Sequence, residues 1–149
     1  MREGSLRSLL RITRSARGLT GRERAEACNA FLWLVTVRIL LAVLPYAHTR
    51  KLLSGIATGP ARGRMDAPAC LRAVGRAAHL VPGSRCLARS LATECLLRRH
   101  GHAAALRLGV RFGDDGELQA HVWIESGGAI AGAGNDAGRY TPLAPPPLP

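Results

Sequence analysis

The chain has 149 residues, of which 47% are hydrophobic and 21% are charged. This is enough for one compact domain, and it excludes two ordinary domains with separate cores, a disordered polyelectrolyte and a polytopic membrane protein. The net charge is +11, and 20 of the 21 basic residues are arginine, which favours anionic partners. Aromatic residues make up only 4% of the chain, so few rings can stack on bases, and we expect no nucleic-acid partner.

The N-terminal part of the chain divides into a basic arm and a helical segment. Residues 1–19 mix arginine with leucine and isoleucine, a pattern that we interpret as a solvated arm in preference to a membrane anchor. Thr20 and Glu23 have the spacing of a capping box, in which each side chain binds a free backbone amide at a helix start. The sequence therefore predicts that a helical segment, 20–65, begins at Thr20.

The first predicted helix runs to about Leu44, where Pro45 ends it, and a long apolar stretch over residues 30–46 includes its second half. Its length is borderline for a membrane span, and Arg38 at its middle is costly in a bilayer. We favour a helix packed on the core, with membrane association as the second hypothesis. A short helix is predicted over 48–56, followed by a Gly/Pro-rich linker over 57–64.

Two further helices are predicted in the middle of the chain. Asp66 is the predicted N-cap of the first of these helices, and the Val-Pro-Gly sequence at 81–83 ends that helix. Ser84 is the predicted N-cap of the second helix, over 85–100, and Gly101 ends that helix.

Beyond the helices, the hydrophobic period changes to two, which is typical of strands. Apolar residues alternate over 106–112 and again over 118–124, and the Gly-Asp-Asp-Gly sequence at 113–116 forms the turn between them. The sequence predicts a β-hairpin here and a short third strand over 129–131. The proline-rich tail, 144–149, is predicted to be disordered.

The cysteines have no spacing typical of a metal site. Cys28, Cys70, Cys86 and Cys95 include no CxxC pair and no Cys/His set that suits tetrahedral zinc. We therefore predict no metal. No cleavable signal peptide is recognisable, so we expect a cytoplasmic protein whose thiols stay reduced and are available for catalysis.

Cys86 is the cysteine best placed to act as a nucleophile. It lies in the opening turn of its predicted helix, where the helix dipole and the neighbouring Arg85 and Arg89 favour a negative charge. Cys95, nine residues later, lies on the opposite face of the same helix, because each residue turns a helix by about 100°. We interpret Cys95 as a structural residue.

His121 is the candidate base for this nucleophile. On its predicted strand it shares a face with Trp123 and Glu125, which puts it on the non-core side of the sheet or against a second layer. A third group must orient the base. Asp136 and the adjacent Asn135 are candidates because the returning chain can bring either beside His121. Glu125 lies about 13 Å along the strand, too far to bond the ring directly.

Four stretches occur in an order that resembles one family. They are VPGSRCLARSLA at 81–92, LLRRHG at 96–101, LGV at 108–110 and AHVWIE at 120–125. Together they resemble the transglutaminase-like leader peptidases of lasso-peptide biosynthesis, closely over 66–143.

The resemblance implies an α+β, papain/transglutaminase-like fold in which N-terminal helices precede a small antiparallel sheet. Residues 1–19 would be the basic arm, 20–65 a helical segment packed on the core, 66–143 the peptidase core and 144–149 the tail.

The resemblance also implies site residues. Cys86 matches the family nucleophile and His121 the base, in a Cys-His-Asp peptidase that forms an acyl-enzyme intermediate. The family acid often comes slightly sooner after the histidine, where this chain has Ala133, and Asp136 is the nearest candidate. Trp123 and Glu125 are candidate substrate-binding residues, with Trp123 as a wall of the cleft.

The family resemblance implies three partners. These are a precursor peptide with its leader, a separate small leader-recognition protein and an asparagine-synthetase-like macrolactam cyclase. ATP belongs to the cyclase, and this chain has no Gly-rich phosphate loop, so no cofactor is predicted. Two other functions stay open: an amide-forming acyltransferase that uses the same triad, and a non-catalytic basic scaffold that binds peptides or membranes.

Overall fold

A computed structural model describes residues 20–57, 65–81, 83–131 and 138–143. Within these ranges, helices come first and strands follow, so the predicted α+β order is confirmed. The helices are α1 (Gly21–Val43), α2 (Tyr46–Ala57), α3 (Ala67–Ala78) and α4 (Cys86–Arg99), and the strands are β1 (Ala105–Phe112), β2 (Leu118–Ser126), β3 (Ala129–Ala131) and β4 (Thr141–Pro142).

Three of the predictions concern segments outside the described residues. They are the basic arm over 1–19, most of the linker over 57–64 and the proline-rich tail over 144–149. The predicted short helix at 48–56 is confirmed, and it extends by two residues at its start and one at its end.

Side-chain caps begin two of the helices as predicted. The Thr20 hydroxyl accepts a hydrogen bond from the Glu23 amide at 3.3 Å, and the Glu23 carboxylate accepts one from the Thr20 amide at 2.9 Å. At α3, the Asp66 carboxylate accepts from the Ala69 amide at 2.6 Å. These local bonds satisfy amides that have no partner inside the helix.

The predicted cap of α4 is wrong. Arg85 occupies the N-cap position and makes no side-chain cap hydrogen bond. Ser84 is buried, and its hydroxyl donates to the Ala78 carbonyl at 3.2 Å at the end of the preceding helix. The hydroxyl therefore closes α3 instead of opening α4, and the N-cap residue Arg85 gives the first amides of α4 no side-chain cap.

Helix α4 lies at the centre of the domain. It contacts α1, α2 and α3 on one side and the sheet on the other, so Ala88 and all residues over 90–97 are buried. The other helices supply the rest of one hydrophobic core, through Ala30, Trp33, Leu34, Val37, Leu53, Ala57, Cys70, Ala73, Val74, Ala77 and Ala78.

The strands form one antiparallel sheet in the order β3-β2-β1-β4. The predicted hairpin is confirmed, and Gly109 pairs with His121 across it. Ile124 joins the helical core, whereas Phe112 and Leu118 at the turn end are exposed. The apolar alternation is therefore buried only where the helices cover the sheet.

Helix α1 packs on the core along one side only. It contacts α3 and α4, and 22% of its most apolar window is buried. Among the described residues, α1 is the one helix long and apolar enough to cross a membrane, by length and composition alone. On this side Ala30, Trp33, Leu34 and Val37 are buried.

A buried carboxylate ties α2 to α4. Glu94 is only 2% exposed; it accepts hydrogen bonds from Arg50 of α2 and forms an ion pair at 2.8 Å with Arg98 of α4. Burial acts to lower the pKa of Arg50, but the hydrogen bond and charge of Glu94 outweigh burial and raise that pKa. A buried charge needs such partners, because an unpaired one is costly.

We expect Glu94→Gln to lower the free energy of unfolding by about 2 kcal/mol, less than the loss for a fully buried pair because both arginines retain access to water. Urea unfolding measures the change. The control Glu26→Gln removes the surface ion pair with Arg22 and should cost about 0.5 kcal/mol or less. Equal losses in the two variants would contradict the structural role of Glu94.

Candidate active site

Cys86 is the first residue of α4 and is half-buried. Its neighbours Arg85 and Arg89 are exposed, and Arg89 donates to the Ser84 hydroxyl at 3.4 Å. The uncapped amides of this turn, the helix dipole and the two guanidinium groups all favour negative charge at this end of the helix. The thiol therefore occupies a position suited to a nucleophile.

Two other cysteines have surroundings that suppress reactivity. Burial, followed by the charges of Asp66 and Glu26, raises the pKa of Cys70 to about 11. Burial, followed by the charge of Glu94, raises the pKa of Cys95 to about 12. These thiols stay protonated near neutral pH, which agrees with the structural role expected for Cys95.

A hydrogen bond fixes α4 against the edge of β2. The Ser90 hydroxyl donates to the Val122 carbonyl at 3.0 Å. Leu108, which pairs with Val122, uses its own carbonyl to accept from Leu143 on the other side of β1. Val122 therefore belongs to a pair without mutual hydrogen bonds, and its carbonyl points away from β1. This is the edge on which β3 pairs at Ile124.

The contact at Ser90 also orients Cys86. Residues four apart lie on the same side of a helix, about 6 Å along its axis, so Cys86 is one turn from Ser90 on the side that meets β2. The adjacent residue of that strand, His121, is the predicted base. The fold thus places the two predicted residues on two elements that contact each other, α4 and β2.

His121 is half-buried, and aromatic rings cover it. Tyr140 stacks on the imidazole with ring centroids 5.1 Å apart, and the Trp123 ring lies 6.4 Å away. The Nε2 atom is buried without a hydrogen-bond partner among the described residues, so the Cys86 thiol does not bond to it. Catalytic hydrogen bonds are often long before substrate binds.

Tyr140 supplies the second layer over the strand face that carries His121. Arg111 also lies over the Tyr140 ring, 5.2 Å from its centroid, and donates to Gln119 at 3.0 Å. We call His121, Trp123 and Tyr140 the aromatic layer. No pattern in the sequence indicates this role for Tyr140, because only the pairing of β4 with β1 brings it to this face.

The aromatic layer needs a glycine opposite His121. A Cβ atom at Gly109 would lie 2.7 Å from the Trp123 ring and 3.0 Å from Tyr140 Cβ. Both distances are shorter than ordinary van der Waals contact. Gly109 therefore leaves space for the Trp123 ring and for the Cβ atom of Tyr140, and this explains the glycine of the LGV stretch.

The remaining predicted site residues have different surroundings. Trp123 is fully buried, and its Nε1 has no hydrogen-bond partner in the described part of the chain. Arg107 donates to the Glu125 carboxylate at 2.8 Å. The carboxylate is therefore already held in an ion pair within the sheet. Asn135 and Asp136 lie outside the described residues. Across the described ranges, no three metal-ligating side chains cluster together.

The fold and the site define a class of protein. A cysteine begins the central helix of an α+β domain, and a histidine lies on the strand that this helix contacts. The profile of the transglutaminase-like superfamily matches residues 31–145, more than half of the chain. The chain therefore belongs to this superfamily, whose members are typically cysteine proteases or acyltransferases. Comparisons with curated proteins and with solved structures gave no match.

We expect Gly109→Ala to lower the free energy of unfolding by about 1–3 kcal/mol, the usual range for overpacking a filled space. The added methyl group must displace Trp123 or Tyr140. Urea unfolding followed by tryptophan fluorescence measures the effect. Gly75→Ala is the control, because a Cβ atom there meets no other atom within 4 Å. A Gly109→Ala variant as stable as wild type would contradict the packing described.

Alkylation by iodoacetamide should distinguish the four thiols in the folded protein. At about pH 8, only about a thousandth of Cys70 and a ten-thousandth of Cys95 is thiolate, the reactive form, because their pKa values are about 11 and 12. Peptide mapping should find Cys86 modified first, Cys28 later and the buried pair only at higher pH or after unfolding. Equal rates at all four thiols would contradict this.

Proposed function

We propose that this protein is a cysteine peptidase that removes the leader peptide from a lasso-peptide precursor. The observation that carries the proposal is the position of Cys86 at the start of α4, one turn from the hydroxyl that bonds to the strand of His121. Membership of the superfamily supports the chemistry. The four sequence stretches that resemble lasso leader peptidases support the choice of substrate.

In the proposed first step, His121 takes the proton of Cys86 and the thiolate attacks the carbonyl at the leader–core junction. The free amides in the first turn of α4 stabilise the oxyanion. The carbon–nitrogen bond then breaks, and the imidazolium gives its proton to the amine of the departing core peptide. The leader remains on Cys86 as a thioester.

In the second step, His121 removes a proton from water, which attacks the thioester carbonyl. The leader leaves as a carboxylic acid, and the thiol of Cys86 is restored. Tyr140 stacks on His121 and limits rotation of the ring, so we assign it a positioning role. Trp123 covers the same face and excludes water from the ion pair between the Cys86 thiolate and the His121 imidazolium.

Asp136 is our candidate for the group that orients His121. Its described neighbours in sequence support this choice, because Ala131 pairs with Ile124 and Tyr140 stacks on His121. Asn135 is the adjacent alternative. Glu125 is less suited, since it lies four residues from His121 and already binds Arg107.

The proposal includes three partners and a compartment. The precursor peptide is the substrate, and a separate small recognition protein presents its leader. An asparagine-synthetase-like cyclase closes the macrolactam on the amine that cleavage exposes. The net charge of +11 steers anionic segments of these partners toward the protein. We place the reaction in the cytoplasm.

The test is mass spectrometry of a synthetic lasso-type precursor incubated with the protein and a leader-recognition protein. We expect cleavage at one site. Cys86→Ala and His121→Ala should each reduce its rate by at least about 10³-fold, and Asp136→Asn by about 10²-fold or more. Asn135→Ala should have a smaller effect than Asp136→Asn.

Three matched variants control for nonspecific loss: Cys28→Ala, His79→Ala and Asp114→Asn change exposed residues of the same types, and each should retain full activity. Full cleavage by Cys86→Ala would contradict the mechanism. Failure to cleave a precursor whose leader is bound would contradict the assigned substrate. Transfer of the acyl group to an added amine in place of water would favour the acyltransferase.

A further inference from the structure

Helix α1 has a second apolar side that faces solvent. Leu32, Ile39 and Val43 are 63%, 57% and 68% exposed. At about 100° per residue they fall within about 40° of one another around the helix. Trp33 and Val37, which are buried in the core, lie on the other side. We call the exposed side the outer face of α1.

The outer face carries no charge along most of its length. Arg38 is the single charged residue over 27–43, and its guanidinium lies against Gly83 on the core side. A helix that is apolar on all sides is normally buried on all sides. Exposed apolar surface of this extent marks an interaction site. We therefore expect another layer to cover the outer face.

The apolar surface continues onto α2. Leu44 directly follows Val43 and lines an apolar groove of about 510 Å³ along the outside of α2. Tyr46, Leu52 and Ile56 are also exposed here. The groove is lined by Leu44, His48, Lys51, Leu52, Gly55 and Ile56.

Basic residues precede and follow α1 in the sequence. Residues 1–24 contain seven arginines and only two acidic residues, Glu3 and Glu23. Lys51, which follows α1 in the sequence, is one of the residues that line the α2 groove. Lysine and arginine near an anionic lipid surface contribute about 1 kcal/mol each. An uncharged helix face between basic segments suits a lipid surface that supplies apolar chains and negative headgroups together.

We propose that α1 and α2 dock this protein on the surface of an anionic membrane. The outer face of α1 lies in the plane of the interface, and its opposite side stays packed on α3 and α4. The exposed Tyr46 suits the boundary between apolar chains and headgroups. The basic residues bind the headgroups, and the α2 groove takes up acyl chain segments. This arrangement does not depend on the catalytic proposal.

The test is flotation of the full chain with lipid vesicles. We expect the protein to float with vesicles of mixed phosphatidylcholine and phosphatidylglycerol but not with phosphatidylcholine alone, and high salt should weaken binding. The double variant Leu32→Glu/Ile39→Glu should bind about tenfold more weakly, because it places charges in the apolar layer. Leu118→Glu is the control, since Leu118 on the hairpin is also 63% exposed and should bind normally.

Circular dichroism melting establishes that the variants are folded. Absence of flotation by the folded wild-type protein, or an equal loss in Leu118→Glu, would overturn the proposal. A wild-type dimer that the double variant converts to monomer, without vesicle binding, would assign the outer face to a second copy. Resistance of the membrane-bound protein to alkaline extraction would indicate a spanning helix and would also overturn docking in the plane.

Discussion

The burial of α4 is the constraint on which the rest of the structure depends. Its residues 90–97 are buried without interruption between the other helices and the sheet. Interiors of this kind are close-packed and resist displacement. The Ser90 hydroxyl adds a directional bond to Val122, and Glu94 adds an ionic link to α2. Together they fix the position of α4, the helix that begins with Cys86, relative to β2.

Local signals in the sequence predicted most of the elements. The capping box at Thr20, the cap at Asp66 and the period-two alternation of the hairpin each depend on nearby residues, and the structure contains all three. Ser84 was assigned wrongly because its hydroxyl has two possible partners, and the bond to Ala78 depends on how α3 meets α4. Glu94 was missed because its partner Arg50 is distant in sequence.

In the candidate site too, local patterns predicted some residues, whereas others depend on contacts between segments that are distant in sequence. Helix position singled out Cys86, and strand alternation placed His121 with Trp123 on one face. The position of Tyr140 over His121 could not be predicted from local patterns. It depends on the pairing of β4 with the edge of β1 that faces away from β2. Gly109 makes this layer possible by its missing side chain. Alternation also predicted an apolar face for the whole hairpin, but tertiary packing leaves its turn end exposed.

The most direct test of the central claim is to trap the acyl-enzyme. A lasso-type precursor and its recognition protein are mixed with the enzyme, quenched in acid within one turnover and mapped by mass spectrometry. The proposed mechanism predicts a leader fragment attached through a thioester to the peptide that contains Cys86. Cleavage with no adduct on Cys86, or an adduct on another residue, would contradict the assignment of the nucleophile.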